Sequence, residues 1–176
     1  MNEIRLIKPT PEYAAEIMCF REECLAANDP DGMAGCTFLE DCGTAEEWFG
    51  IVKQRECAET CPEGSVPSDA YLAVRTSDNR IVGMIDLRHH IDHPVLGVWG
   101  GHIGYTVRPS ERGKGYACEM LRLDLENCRA RGLEKVMVTC SPENPASEKT
   151  ILANGGIFEK EILVDGEPVR RYWISL

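Results

Sequence analysis

The stretch RPSERGKGYACEMLRLDLENC, residues 108–128, decides how the chain is read. An arginine and two glycines bracketing a lysine stand directly before an apolar-periodic run. Glycine loses more conformational freedom on ordering than any other residue, so a helix entrance carries it only where backbone must approach something closely or take a positive φ. A glycine turn that opens a helix gathers bare N–H groups at the positive end of the helix dipole, a binding site for anions such as phosphate. The turn runs Arg112, Gly113, Lys114, Gly115, Tyr116, Ala117. No Gly-Lys-Ser/Thr closes it as in a nucleotide P-loop, and it does not fit the Gly-x-Gly-x-x-Gly spacing of dinucleotide binders. Gly113 and Gly115 let backbone touch a ligand, Arg112 and Lys114 add positive charge, and Ala117 keeps the helix start small. A plain turn before a helix would explain the glycines equally well. The surroundings must decide.

In front of the turn, GHIGYTV (101–107) reads as a strand. Behind it a helix is predicted from about 115 to 131, ended by Gly132. Its Ala117, Leu121, Leu125 and Cys128 share one face and Glu119, Arg122 and Glu126 the other. LEKVMVTC (133–140) is a short buried strand. A strand-helix-strand unit crosses over right-handed, so strands 101–107 and 135–140 are predicted to run parallel. Upstream, AYLAVRT (70–76) and IVGMIDLRH (81–89) are strands joined by a turn at Ser77–Asn79.

NEIRLI (2–7) alternates as a strand. A first helix is predicted with Thr10 as cap and Pro11 at its first position, carrying the stripe Ala14, Ile17, Met18, Leu25. NDPDGMAG (28–35) is a loop. TAEEWFGIVKQRECAE (44–59) is a second helix, with Thr44 and Glu47 spaced as a capping box. Downstream, ENPASEKTILANGG (143–156) reads as a helix ending at Asn154–Gly155, and residues 157–176 as a hairpin turning at Asp165–Gly166. There is no repeat, low-complexity tract or linker. The chain reads as one mixed α/β domain, residues 1–176, with a strand and two helices in 1–66 and a core in 70–176.

The 176 residues suffice for one domain with a core of its own. The formal net charge of -10 argues against a nucleic-acid partner, because affinity for phosphate backbones comes mainly from Lys and Arg. It is compatible with cationic or amine partners, and equally with a surface that only aids solubility. No apolar run reaches the length of a membrane span, and MNEIRLIKPTPEY lacks the apolar centre of a signal peptide, so a cytoplasmic protein is expected. The nine cysteines are odd in number and come without a secretion signal, which argues against a disulfide framework. Cys57 and Cys61, with Cys36 and Cys42 upstream, could be read as a zinc site, but the paired C-x2-C spacing is missing. Free thiols, some packed as small apolar residues, are the plainer reading, and no metal is expected.

The segment VRPSERGKGYACEML resembles the acetyl-CoA-binding segment of the GNAT superfamily of N-acetyltransferases. That family's signature is Arg or Gln, two residues, Gly, one residue, then Gly or Ala, and Arg112, Gly115 and Ala117 fill it. The resemblance extends over about residues 70–176 in the order and spacing of elements, most like the generic small-substrate bacterial branch, and the opening section fits the family's usual N-terminal arrangement. It implies a mixed, mostly antiparallel sheet of about seven strands with a splayed parallel pair, flanked by about four helices. It implies acetyl-CoA as co-substrate, with its pantetheine arm in the gap between strands 101–107 and 135–140 and residues 112–117 around its diphosphate. Val107 would offer backbone bonds to that arm. Asn144 resembles the family's pantetheine-contacting asparagine, and Ser147 would lie near it, although Asn144 could equally cap its helix. The acceptor would be a primary amine of a small molecule, amino acid or peptide. A homodimer through the C-terminal strands is plausible. A non-catalytic acyl-CoA-binding regulator and a metal- or redox-sensing module are the alternatives.

Acetyl transfer to an amine needs a neutral amine, a stabilised carbonyl oxygen and an outlet for the thiolate. Many relatives carry a tyrosine on the penultimate helix as the acid, and Ile151 stands at that position here. Tyr105 or Cys140 could stand in, or the thiolate could leave without a protein acid. Asp86, an acid inside an apolar strand, and His102, at the head of the strand leading to the turn, are the candidates for the base. A salt bridge for Asp86 and simple packing for His102 are the bland readings. His89, His90 and His93 cluster nearby, and histidine suits proton relay. Phe20, Trp48 and Phe49 are candidates to line the acceptor pocket, while Trp48, Trp99 and Trp173 are most simply packing residues.

Overall fold

Seven strands form, and they divide into two antiparallel sheets rather than one continuous sheet. The computed structural model describes residues 3–176; Asn2, expected to open the first strand, lies outside them. Along the chain the elements are β1 (Ile4–Ile7), α1 (Ala14–Ala27), α2 (Ala45–Arg55), β2 (Ser68–Arg75), β3 (Ile81–Arg88), β4 (Ile103–Val107), α3 (Tyr116–Ala130), β5 (Lys135–Cys140), α4 (Pro145–Ala153), β6 (Ile157–Val164) and β7 (Glu167–Ser175). The first sheet is ordered β1-β2-β3-β4 and the second β5-β7-β6. Every pairing is antiparallel.

Local chemistry accounts for most boundaries. Thr44 accepts from the Glu47 N–H while the Glu47 carboxylate accepts from the Thr44 N–H, the reciprocal cap expected at α2. That helix stops at Arg55 rather than 59, because the Thr60 hydroxyl turns back to the Gln54 carbonyl and closes the turn. Thr10 and Pro11 start a short 3-10 turn, Pro11–Tyr13, before α1. The buried face of α1 is Ile17, Phe20 and Cys24, whereas Leu25, expected in the stripe, faces solvent. Asp165 and Gly166 both take positive φ, as a two-residue turn of type I′ requires.

The first sheet is covered on both faces. Helices α1 and α2 pack on one side around Ile17, Phe20, Trp48, Leu72 and Met84. Helices α3 and α4 pack on the other around Ile85, Met120, Leu121, Val136 and Ile151. Each such side chain contributes on the order of 1.5–3 kcal/mol by leaving water. The two faces also separate two possible sites, one on the α3–α4 side and one on the α1–α2 side. No helix among the described residues is long and apolar enough to cross a membrane.

Candidate active site

Strand β4 is laddered only to β3, and β5 only to β7. The two meet at one end. The His102 N–H donates to the Met137 carbonyl at 2.8 Å, and the Met137 N–H donates to His102 Nδ1 at 2.9 Å. Gly101 makes this join possible, since a Cβ there would lie 2.6 Å from the Met137 oxygen. Beyond the join the strands part. The Arg88 N–H bonds the His102 carbonyl and the Arg108 N–H bonds the Val82 carbonyl, so even-numbered positions of β4 face β3. Alternation then turns the N–H and C=O groups of Ile103, Tyr105 and Val107 toward the gap. The Val107 carbonyl accepts from Arg112 Nε; the other peptide groups left so need a partner that can enter the gap.

The glycine turn lies at the open end of the V. Gly113 (φ 73°) and Gly115 (φ 85°) adopt the left-handed backbone that brings the loop to the first turn of α3. Gly115 is the N-cap residue, and no side chain caps the helix, so its first N–H groups are held for another acceptor. The loop is fastened from below. Buried Glu111 receives Lys114 Nζ at 2.8 Å and Arg75 Nη1 at 2.9 Å, bonds that hold its carboxyl below the usual carboxylate range. Arg108 is buried and binds Glu16 and Glu23 of α1 together with the Ile81 carbonyl. Tyr116 is buried, its hydroxyl accepting from Arg75, so it can offer a ligand only its backbone.

Arg112 bonds the Val107 carbonyl through Nε and pairs with Asp29 at 2.6 Å. Across the mouth, Asn144 Oδ1 caps α4 by accepting from the Ser147 N–H, and its Nδ2 donates to Asp31. The Asn28–Gly35 loop thus touches both lips of the gap. Ser147 Oγ lies 2.8 Å from the Tyr105 hydroxyl, which projects from β4 to α4. Burial raises the pKa of that phenol, with the Ser147 bond opposing. Ile151, one turn further on, is fully buried in the core.

The structure brings Val107, Arg112, Gly113, Lys114, Gly115, Tyr116, Ala117, Asn144 and Ser147 to the rim of one gap. His102 and Asp86 lie apart from that rim. With Nδ1 accepting from Met137, the His102 ring carries its proton on Nε2, and burial, aided by the Arg88 charge, pulls its pKa down to about 4. It is a neutral ring at the apex of the V. Asp86 is buried opposite Gly104, accepts from the Gly104 N–H at 3.1 Å and lies 3.3 Å from Arg88 Nη2. Burial raises its pKa and Arg88 opposes. The other histidines are bound in local structure: His89 to Asp69, His93 to the Gly64 carbonyl and two loop N–H groups, His90 to the Asp92 N–H.

The acceptor-pocket expectation needs correcting at two of its three residues, Phe49 being half-buried. Phe20 and Trp48 are fully buried, the indole N–H of Trp48 donating to the Cys36 carbonyl, so neither can line a pocket. Trp99, expected in packing, is 41% exposed, while Trp173 sits under Lys135 and edge-on to His102. Phe38, 48% exposed with Arg55 over its ring, went unnoticed in the sequence because only the folded α1–α2 loop places it there.

The family model for the acetyltransferase (GNAT) domain matches residues 4–157. The chain belongs to the GNAT acetyltransferase family. Solved structures repeat this GNAT fold at low identity. One is a ribosomal-protein-S5-alanine acetyltransferase from Vibrio fischeri (20% identity, TM-score 0.69, covering 98% of this chain and 91% of that one). Another is a GNAT-family acetyltransferase from Bacillus anthracis (17%, 0.66, 99% and 96%). A third is a microcin C7 self-immunity acetyltransferase in complex with acetyl-CoA and AMP (17%, 0.66, 100% and 94%). No curated protein sequence matches the chain. Within the GNAT fold the sequence reading missed Glu111, Arg75 and Arg108, whose buried pairs hold the loop in place. Their one sequence signal is charge at positions that burial would forbid unless paired.

Proposed function

We propose that this acetyltransferase moves the acetyl group of acetyl-CoA to the primary amine of a small molecule, amino acid or peptide, by direct attack with both substrates bound. The observation that carries the reading is the V between β4 and β5 with an uncapped helix N-terminus at its open end. A pantetheine arm is a chain of amides and matches the peptide groups of Tyr105 and Val107; a diphosphate matches the N–H groups at Gly113–Ala117. When bound, acetyl-CoA supplies an activated thioester carbonyl.

In this reading the residues divide the work as follows. The gap-facing N–H of Tyr105 is placed to donate to an oxygen gaining charge. The Tyr105 hydroxyl, oriented by Ser147, takes the acid's place in the absence of a tyrosine at Ile151. Asp86 accepts the amine proton, directly or through water, its raised pKa bringing it toward the range where a base works near neutrality. His102 keeps the V shut at its apex. The cytoplasm, where acetyl-CoA is made and free thiols persist, is the compartment that suits nine unpaired cysteines.

The test is calorimetric titration with acetyl-CoA, followed by measurement of free CoA released on addition of an amine panel. Binding and amine-dependent release are expected. Absence of acetyl-CoA binding overturns the reading, and binding without release from any amine points instead to an acyl-CoA-binding regulator.

A further inference from the structure

The chain carries a net charge of -10, yet two arginines, Arg88 on β3 and Arg55 at the end of α2, stand on the Asp86 side of the first sheet. Arg88 stands two residues along β3 from Asp86, and its Nη2 lies 3.3 Å from the Asp86 carboxylate. Arg88 is pinned there by Nη1 bonds to the carbonyls of Gly100 and Gly101. Arg55, the last residue of α2, reaches by Nη2 the Ser65 hydroxyl, three residues ahead of Ser68, which pairs with Arg88 across β2 and β3. The Asp86 carboxylate is thus already in contact with Arg88, while Arg55 pairs with no carboxylate among the described residues.

Arg55 is built for a partner it does not have. Its guanidinium lies over the Phe38 ring, 4.6 Å from the centroid, and Nη2 reaches only the Ser65 hydroxyl at 3.5 Å. Its Nε is buried and makes no hydrogen bond, and among the described residues no carboxylate lies within ion-pair distance of it. An unmatched buried donor costs free energy, and a guanidinium held over an aromatic ring keeps its donors oriented for a carboxylate. The ring is itself half exposed, so the fork is not sealed in the core.

We infer that the acceptor is an amine that also bears a carboxylate, as an α-amino acid does, with Arg55 gripping the carboxylate and Asp86 facing the amine. The inference rests on the transferase reading above and narrows its acceptor. It runs against the overall charge, which would favour a polycation, because the local wall and not the distant surface meets the substrate. A polyamine would bring positive charge against Arg55 and Arg88.

The test compares acetylation of a panel of α-amino acids with their α-amides, and of spermidine, by CoA release. The acids are expected to exceed their amides in kcat/KM by about tenfold or more, the cost of losing a charge-assisted bond. Arg55→Gln is expected to raise the acceptor KM for the acids by about tenfold, to leave the KM of the amides and of acetyl-CoA unchanged, and to be partly rescued by Arg55→Lys. Equal use of acids and amides, preference for spermidine, or an equal effect of Arg55→Gln on acids and amides overturns the inference. So does failure of every acid in the panel while acetyl-CoA still binds by calorimetry, a result that leaves the cofactor reading intact. Thermal unfolding of each variant separates a lost contact from a lost fold.

Discussion

At the scale of single residues, the decisive pair is Tyr105 and Ile151. The helix position that would carry an acid is filled by a buried isoleucine, and a phenol reaches α4 one turn earlier, from β4, where Ser147 holds it. Tyr105→Phe is expected to lower kcat about tenfold to a hundredfold with little change in the KM for acetyl-CoA, the usual range for loss of a general acid. Steady-state kinetics against both substrates checks this, and an unchanged kcat would remove Tyr105 from the chemistry. His102 acts differently. Its imidazole satisfies the Met137 N–H at the apex, so His102→Ala leaves a buried donor bare and is expected to cost about 1–3 kcal/mol of stability. A denaturant midpoint equal to that of the unaltered protein would show that the apex does not depend on the ring.

At the scale of elements, the loop between β4 and α3 and the loop between α1 and α2 act on one gap from opposite sides. The first offers N–H groups, and the second places Asp29 on Arg112 and Asp31 on Asn144. Two carboxylates beside the proposed diphosphate site would oppose an anionic ligand. Asp29→Asn is therefore expected to tighten CoA binding by a few-fold, more at low salt than at high, because the charges are partly exposed. Calorimetry at two ionic strengths tests it, and unchanged or weaker binding would mean Asp29 does no more than hold Arg112 in place. Gly115→Val should act in the other direction, weakening acetyl-CoA by at least about tenfold, since a β-branched residue is strained at φ 85° and its side chain would crowd the N–H groups. The first loop could be read from sequence because its logic is local: glycines, charge and a following amphipathic helix stand within ten residues or so. The second could not. Asn28–Gly35 shows only turn-forming residues, and what it touches is fixed by contacts some 80 and 110 positions away.

At the scale of the whole molecule, the order of strands and helices was legible because each element announces itself by period and caps. The division into two sheets was not, since strand pairing is a property of registers far apart in the chain. Titration of buried groups belongs to this scale too. His102 is held neutral by burial, with a pKa of about 4 against an ordinary 6.5. The unfolded chain then binds more protons than the folded one between those values, so this group makes stability rise with pH from about 4 to 6.5. Asp124 does the reverse. It is buried on α3 under the first sheet, with Asn127 donating to Oδ1 and Oδ2 unpartnered. Burial pushes its pKa up to about 7 from 3.8, so the folded state holds a proton the unfolded state has lost, and stability falls as pH rises across that window. The two slopes are opposed over nearly the same interval, and their sum is expected to leave a shallow profile. Asp124→Asn removes one slope and keeps the shape and the Asn127 bond. The variant should be more stable than the parent by on the order of 4 kcal/mol at pH 8, about equal to it near pH 4, and steeper than it between pH 4 and 6.5. Denaturant unfolding of both proteins at those pH values measures the difference directly, since every other titrating group is common to the two. A difference that does not vary with pH would mean that Asp124 is already ionised in the folded protein, and that the sheet above it tolerates the charge.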